Sequence, residues 1–514
     1  MKIRVPFPVL ARVIADLILL IASVALAFLL RFIYTVTFEG TGQSDLFVFR
    51  HLIEVFWVTL AYLVPLNLVS FALFGIYKRT RAYFWRAKTL AITKAIGMTY
   101  LLVAVAEFSV PDGIRTPRSI LPIAFIISLT CMLVTRAWSS LWRRVLIEEA
   151  PQAELKARDS KALLLIGGAG YIGSALVPKL LSAGYRIRLL DAFLFGREPL
   201  GDWADHPNLE LIEGDFRRVE RVVTSMKGVS VVVHLGGIVG DPACALDEQL
   251  TIEVNLAATR LIAEVAKGEG VKRFVFASTC SVYGANDNVL DENSRLNPVS
   301  LYARSKIASE QALFAAQNKG GLAPTVLRFG TIFGLSGRTR FDLVVNLLTA
   351  KALFDKKITL YGGDQWRPFL HVDDAAASVL AVLEAPLECV AGETFNIGSN
   401  DMNYTLRQVG ELIHKRVPDA ELLELGQDGD RRNYRVDFSK AHQKLGFLPK
   451  WKLEAGIDQV AEAIRSGRVT DYRLAKYSNV KFLSDNRTCL AMTDGWEREI
   501  LRSLAPGDAM AVQE

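Results

Sequence analysis

Apolar and polar positions follow two different rhythms along this chain. Up to about residue 140 the pattern is long, nearly uncharged apolar runs. From Lys161 onward, short apolar runs alternate with helical patterns. Four of the long runs, at about 9–30, 55–77, 90–110 and 119–135, predict membrane-spanning helices. About 20 apolar residues in a helix cross the ~30 Å hydrocarbon layer of a bilayer. The second run has no charged residue; the first opens with Arg12 and Asp16, and the third carries Lys94 and Glu107. The fourth is short and bracketed by Arg118 and Arg136. No small-residue cleavage site follows the first run and Arg31 comes directly after it, so it reads as an anchor that stays.

In the second part, Leu163–Ile166, Arg186–Leu190, Leu209–Ile212, Val231–His234, Phe274–Ala277 and Thr325–Arg328 have the length and apolar content of buried strands. Helical patterns separate them, which predicts a parallel sheet with crossover helices, a doubly wound α/β fold. Such a sheet collects its ligands at the carboxyl ends of its strands, where Asp191, Gly214-Asp215 and Ser278-Thr279 fall. The expected organisation is a transmembrane region over 1–138, a linker over 139–160, an α/β domain with a smaller C-terminal lobe over 161–466, and an extension over 467–514 without a legible motif.

Charge sharpens the first half. Lys2, Arg4 and Arg12 lie at the start of the first run, Lys78, Arg79, Arg81, Arg86 and Lys88 lie between the second and third, and Arg136, Arg143 and Arg144 follow the fourth. Basic residues favour the cytoplasmic side, so both termini are expected there, in a bacterial inner membrane with the lipid bilayer as partner. The net charge of +6 is largely accounted for by these flanks and gives no nucleic-acid signature. The five cysteines have no paired spacing, so neither a disulfide framework nor a metal site is expected.

The candidate chemistry centres on Tyr302 and Lys306, four residues apart and therefore on one face of a helix. A lysine ammonium beside a phenol favours the phenolate, a base for a sugar or alcohol hydroxyl. Upstream lies Gly167-Gly168-Ala169-Gly170-Tyr171-Ile172-Gly173, placed between a strand and a helix. Gly167 suits the tight turn, Gly170 the approach of a pyrophosphate, and Gly173 close packing of helix on strand. Asp191 closes the next strand, 18 residues past Gly173. A carboxylate there bonds a ribose 2'-hydroxyl and repels a 2'-phosphate, which predicts NAD as cofactor rather than NADP.

These motifs, with His234-Leu235-Gly236-Gly237, Asn255, Ser278-Thr279-Cys280-Ser281-Val282-Tyr283-Gly284, Arg328, Trp366-Arg367-Pro368-Phe369-Leu370-His371 and Phe395-Asn396-Ile397-Gly398, resemble the extended short-chain dehydrogenase/reductases. The resemblance is to their nucleotide-sugar epimerase/dehydratase branch and covers roughly residues 161–465. It implies a Rossmann-type fold and catalytic roles for Thr279, Tyr302 and Lys306. It implies further that Gly167, Gly170, Tyr171, Ile172, Gly173, Asp191, Asp215, Leu235, Gly236, Gly237 and Asn255 meet the cofactor, Asp215 at the adenine edge. Arg367 is implied as the grip on the substrate diphosphate, with Arg432 as a second contact. Asn255 and Arg328 also admit a purely structural role. The chain departs from the sugar 4,6-dehydratases, which carry acidic residues after the catalytic threonine where Cys280 and Ser281 stand here. The membrane part resembles the amino-terminal region of bacterial polysaccharide-biosynthesis epimerase/dehydratases, through Arg31-Phe32 and Phe74-Gly75-Ile76-Tyr77. The function implied is a membrane-anchored NAD-dependent nucleotide-sugar epimerase that passes through a keto-sugar. A keto-sugar reductase, a 4,6-dehydratase and a non-catalytic membrane scaffold are the alternatives, and a homodimer is a candidate assembly.

Overall fold

The computed structural model describes residues 7–39, 44–74, 76, 85–109, 116–149, 161–317, 321–426 and 432–485. Lys2, Arg4, Gly75, Tyr77, Lys78, Arg79, Arg81, Arg115, residues 150–160 of the expected linker, Gly429-Asp430-Arg431 and residues 486–514 lie outside the described residues. The chain divides into two compact units, Met1–Leu155 and Lys156–Glu514.

In the first unit, four helices run over Phe7–Tyr34, Asp45–Leu73, Trp85–Ser109 and Ile120–Glu149. Three stretches are long and apolar enough to cross a membrane: Val13–Glu39, Asp45–Leu73 and Thr89–Glu107. The fourth expected span is corrected by the structure. Its apolar stretch among the described side chains, Ile120–Arg136, belongs to the shorter class of 10–17 residues. The helix continues to Glu149, so residues 139–149 of the expected linker are helical. Leu20, Phe71, Ile92, Ile96 and Ile120 form the centre of the bundle, while Ile18, Leu73 and Leu101 point outward, 59 %, 80 % and 66 % exposed. The two expected carboxylates, Asp16 and Glu107, are partnered. Arg136 donates to both oxygens of the buried Asp16, and Glu107 accepts from Thr116 at 2.6 Å. An ionic group among apolar helices is costly unless bonded in this way.

In the second unit, seven strands make one parallel sheet: β1 Ala162–Ile166, β2 Arg186–Asp191, β3 Leu209–Glu213, β4 Val231–His234, β5 Arg273–Thr279, β6 Ala323–Phe329 and β7 Thr394–Ile397. Their spatial order is β7-β6-β5-β4-β1-β2-β3. Six match the expected strands. The seventh, four residues long, overlaps the Phe395-Asn396-Ile397-Gly398 motif and is too short to announce itself by periodicity. β1, β4, β5 and β6 are almost wholly buried, as near-continuous apolar runs must be when helices cover both faces of a sheet. Strand order reverses between β1 and β4, which opens a crevice at their carboxyl ends.

A smaller lobe is built from short sheets. Thr331–Phe333, Trp366–His371 and Asn403–Thr405 form one; Lys357–Tyr361 pairs with Glu421–Leu425, and Ala285–Leu290 with Asn433–Val436. Its core includes Phe333, Phe369, Leu360, Ile358 and Leu453. The helix Leu406–Arg416 starts at a reciprocal cap. Thr405 Oγ1 accepts from the Gln408 amide and Gln408 Oε1 accepts from the Thr405 amide.

Candidate active site

β1 delivers the chain into a turn that only glycine permits at two positions. Gly167 has φ +81°, and a Cβ there would stand 2.6 Å from the backbone of Gly236 in the turn after β4. Gly173 lies one turn into the helix Tyr171–Ser182, where a Cβ would meet the Gly168 and Gly167 carbonyl oxygens at 2.5 and 2.6 Å. The helix therefore rests directly on the turn, and its free amides face a cavity of about 320 Å³.

Gly167, Gly170, Tyr171, Ile172, Gly173, Asp191, Leu235, Gly236, Gly237, Thr279, Tyr302, Lys306 and Arg432 line that cavity. Asp215, Asn255 and Arg367 are not in its wall. Asp215 is turned to Arg217, which donates to it from Nε at 2.9 Å and from its main chain at 2.8 Å, and the ring of Phe216 faces the cavity instead. Asn255 is buried beneath the Gly237–Ile238 backbone, accepting from the Ile238 amide at 2.8 Å and donating to the Ile238 carbonyl at 2.9 Å. Arg367 donates to Gln365 at 2.8 Å, to the Trp366 carbonyl at 2.9 Å and to the carbonyl of Arg432. The two arginines expected at a diphosphate are thus neighbours, with Arg432 reaching Asp241 at 3.2 Å.

Asp191 accepts from the Ala169 amide at 3.0 Å and the Phe193 amide at 2.9 Å, which ties the end of β2 to the glycine turn. Burial holds its carboxyl above the usual range, and the backbone amides pull it part of the way back.

Tyr302 and Lys306 lie on the helix Leu301–Ala316, which is capped by Ser300 accepting from the Ala303 amide at 3.2 Å. Both are buried, 7 % and 3 % exposed. Lys306 Nζ donates to the Ala277 carbonyl at 2.8 Å and stands 4.7 Å from the centre of the Phe276 ring. Burial brings its amine down to about 8. Burial also drives the Tyr302 phenol upward, with Cys244 and Asp241 adding to the rise; Thr279 and Arg340 oppose it. Desolvation is thus the largest influence on the phenol, and it acts against the lowering expected from the sequence. Thr279 accepts from the Ser281 amide at 3.1 Å at the end of β5.

Cys280 is fully buried; its thiol donates to the Arg328 carbonyl at 3.2 Å and is pushed up by burial. Arg328 pairs with Glu310 through bonds of 2.7 and 3.2 Å and donates to Tyr283 at 3.0 Å, a structural network beneath the cavity. Sequence reasoning missed Phe195, Arg338, Arg340 and Asn479, all of which line the cavity. Two arginines in the glycine- and serine-containing run Gly334-Leu335-Ser336-Gly337-Arg338-Thr339-Arg340 were the signal for the middle pair. Nothing in the sequence marks Asn479.

The NAD dependent epimerase/dehydratase family matches residues 163–398. A Bacillus subtilis strain 168 protein described as an uncharacterized UDP-glucose epimerase, YtcB, is 30 % identical over 306 residues, 57 % of this chain and 95 % of its own. The UDP-glucose 4-epimerase of Corynebacterium glutamicum is 29 % identical, over 56 % of this chain and 91 % of that protein. The solved structure of MoeE5 in complex with UDP-glucuronic acid and NAD is 28 % identical, with a TM-score of 0.54, covering 60 % of this chain and 99 % of that one. The bare α-carbons of Gly167 and Gly173 let the turn and the helix start close on neighbouring backbone, which brings the helix-start residues Gly170–Gly173 into the cavity wall, as a dinucleotide requires. The chain is an NAD-dependent enzyme and belongs to the NAD dependent epimerase/dehydratase family.

Proposed function

We propose that the protein is a membrane-anchored nucleotide-sugar epimerase acting at a sugar hydroxyl carbon, C4 being the favoured position, on a UDP-linked hexose. Tyr302 exchanges the proton of that hydroxyl, and Thr279 Oγ1 orients both the hydroxyl and the phenol. Lys306, held by the Ala277 carbonyl, adds positive charge on the same helix face. NAD, when bound, supplies a two-electron acceptor restored in every cycle, together with a positive charge that favours the Tyr302 phenolate. The glycine turn, Leu235, Gly236 and Gly237 hold that cofactor, and Asp191 takes its ribose. Asn255 fixes the Gly237–Ile238 backbone from below, and Asp215 acts through its neighbour Phe216. Arg432 and Arg367 receive the diphosphate of the substrate, as guanidinium forks suit phosphate oxygens.

One observation carries the choice of epimerisation. Asp191 is the only carboxylate among the described residues lining the cavity, and it is at the far end from Thr279, held by the glycine-turn amides. Elimination of water needs an acid–base group beside the threonine. Cys280 offers a buried thiol turned to a main-chain carbonyl, and Ser281 a hydroxyl. The similarity to proteins named for UDP-sugars supports the choice of nucleotide. Membrane anchoring rests on the three long apolar helices with outward apolar side chains, and the cytoplasmic side on the basic flanks. We infer further that the product feeds cell-surface polysaccharide synthesis.

The test is incubation of the purified protein with UDP-, GDP- and dTDP-hexoses without added reductant. An isomer of unchanged mass is expected. A product lighter by one water overturns the proposal, and strict dependence on added NAD(P)H with a gain of two hydrogens assigns a reductase instead.

A further inference from the structure

Arg338 is a buried cation, 5 % exposed, in the wall of the cofactor cavity. Its Nε has no hydrogen-bond partner, and among the described residues no carboxylate pairs with it. Its Nη2 donates to Asn479 Oδ1 at 2.7 Å, and its guanidinium carbon stands 3.9 Å from the centre of the Phe195 ring. Phe195 packs on Phe482 at 4.3 Å between ring centres. The Arg338 amide donates to Ser174 Oγ at 3.2 Å, which places the residue at the first turn of the helix Tyr171–Ser182. The nearby carboxylate, Asp342, is already engaged by Arg340 at 2.9 and 3.0 Å and by the Asn479 amide at 2.8 Å. Asn479 is tied in turn to the Val239 carbonyl at 3.0 Å.

We propose that Arg338 binds the diphosphate of the dinucleotide, and that Asn479 and Phe482, from the segment after the catalytic fold, position it and close the cofactor site. A buried, unpaired guanidinium beside the amides of a helix start calls for an anion with several oxygens. Both the dinucleotide and the sugar nucleotide carry such a diphosphate. The contact with Ser174 and the stacking on Phe195, which follows Asp191 in the chain, favour the dinucleotide. The proposal goes beyond the epimerase reading and needs only that the protein binds NAD, so it stands whichever sugar reaction the site performs.

The test uses the full-length protein in detergent, reading NAD affinity and NAD release by direct binding, with UDP as the probe for the second diphosphate source. Arg338→Met is expected to weaken NAD binding roughly 10- to 100-fold, as for a lost charge-assisted bond. Arg338→Lys should recover part of that loss. Asn479→Ala and Phe482→Ala should speed NAD release about 2- to 10-fold, in line with loss of one polar or ring contact. UDP affinity should stay unchanged in all four. NAD affinity within twofold of the parent in Arg338→Met overturns the proposal, as does a loss of UDP binding in place of NAD binding. Should Arg338→Met fail to fold, unaltered NAD release in both Asn479→Ala and Phe482→Ala overturns it equally.

Discussion

Gly173→Ala tests the contact on which the cofactor cradle rests. The added Cβ would lie 2.5 Å from the Gly168 carbonyl oxygen and 2.6 Å from that of Gly167, where ordinary contact begins near 3.4 Å. Both atoms are backbone in a turn tied to β2 through Gly167 N–H to the Leu190 carbonyl at 3.0 Å, so the turn cannot simply swing aside. Helix and turn must separate by about 0.9 Å, an overpacking change that typically costs about 1–3 kcal/mol. Part of this appears as lost stability and part as displaced amides at the phosphate site. If all of it fell on cofactor binding, NAD affinity would drop about 5- to 150-fold. Calorimetric titration of NAD into detergent-solubilised protein reads the affinity, and denaturant unfolding reads the stability. Gly426→Ala is the control, since no heavy atom lies within 4 Å of its added Cβ. NAD affinity within twofold of the parent, with an unchanged unfolding midpoint, would refute the packing argument.

Tyr302→Phe should lower turnover by roughly 10²–10⁴ while NAD stays bound, because the proton carrier is lost and the glycine turn is untouched; rate and NAD content are measured on the same preparation. Glu310→Ala leaves Arg328 buried without its counter-charge and should cost about 3–5 kcal/mol of stability, read from the denaturant midpoint. His234 is fully buried, bonds Thr259 at 3.0 Å, and is lowered from 6.5 to about 3 by burial, with the Lys306 charge second. Its folded pKa is below its unfolded one, so the stability it contributes is present above pH 6.5 and is lost as pH falls toward 3. Between pH 6.5 and 5 the parent should lose up to about 1.4 kcal/mol per pH unit from this residue. His234→Gln should remove that slope; an identical slope in the variant would assign it elsewhere.

Local pattern alone determined much of this protein. Short apolar runs separated by helical patterns specify a parallel sheet, because strands covered on both faces can be apolar throughout, and six of its seven strands were legible for that reason. The glycine turn, Asp191, Tyr302 and Lys306 all line one cavity, and the local spacing that singled them out in the sequence is short-range. The long apolar helices announced themselves by length, three of them long and apolar enough among the described residues to cross a membrane. Tertiary structure decided which way individual side chains turn and which distant residues meet. It turned Asp215 to Arg217 and set Asn255 under the Gly237–Ile238 backbone. It buried Tyr302, and that burial pushes its phenol upward. It also brought Asn479, from a segment without a motif, across to Val239 and Arg338 at the cavity. Contacts between residues more than a hundred positions apart leave no periodicity or spacing in the sequence, because only the packed fold makes them neighbours.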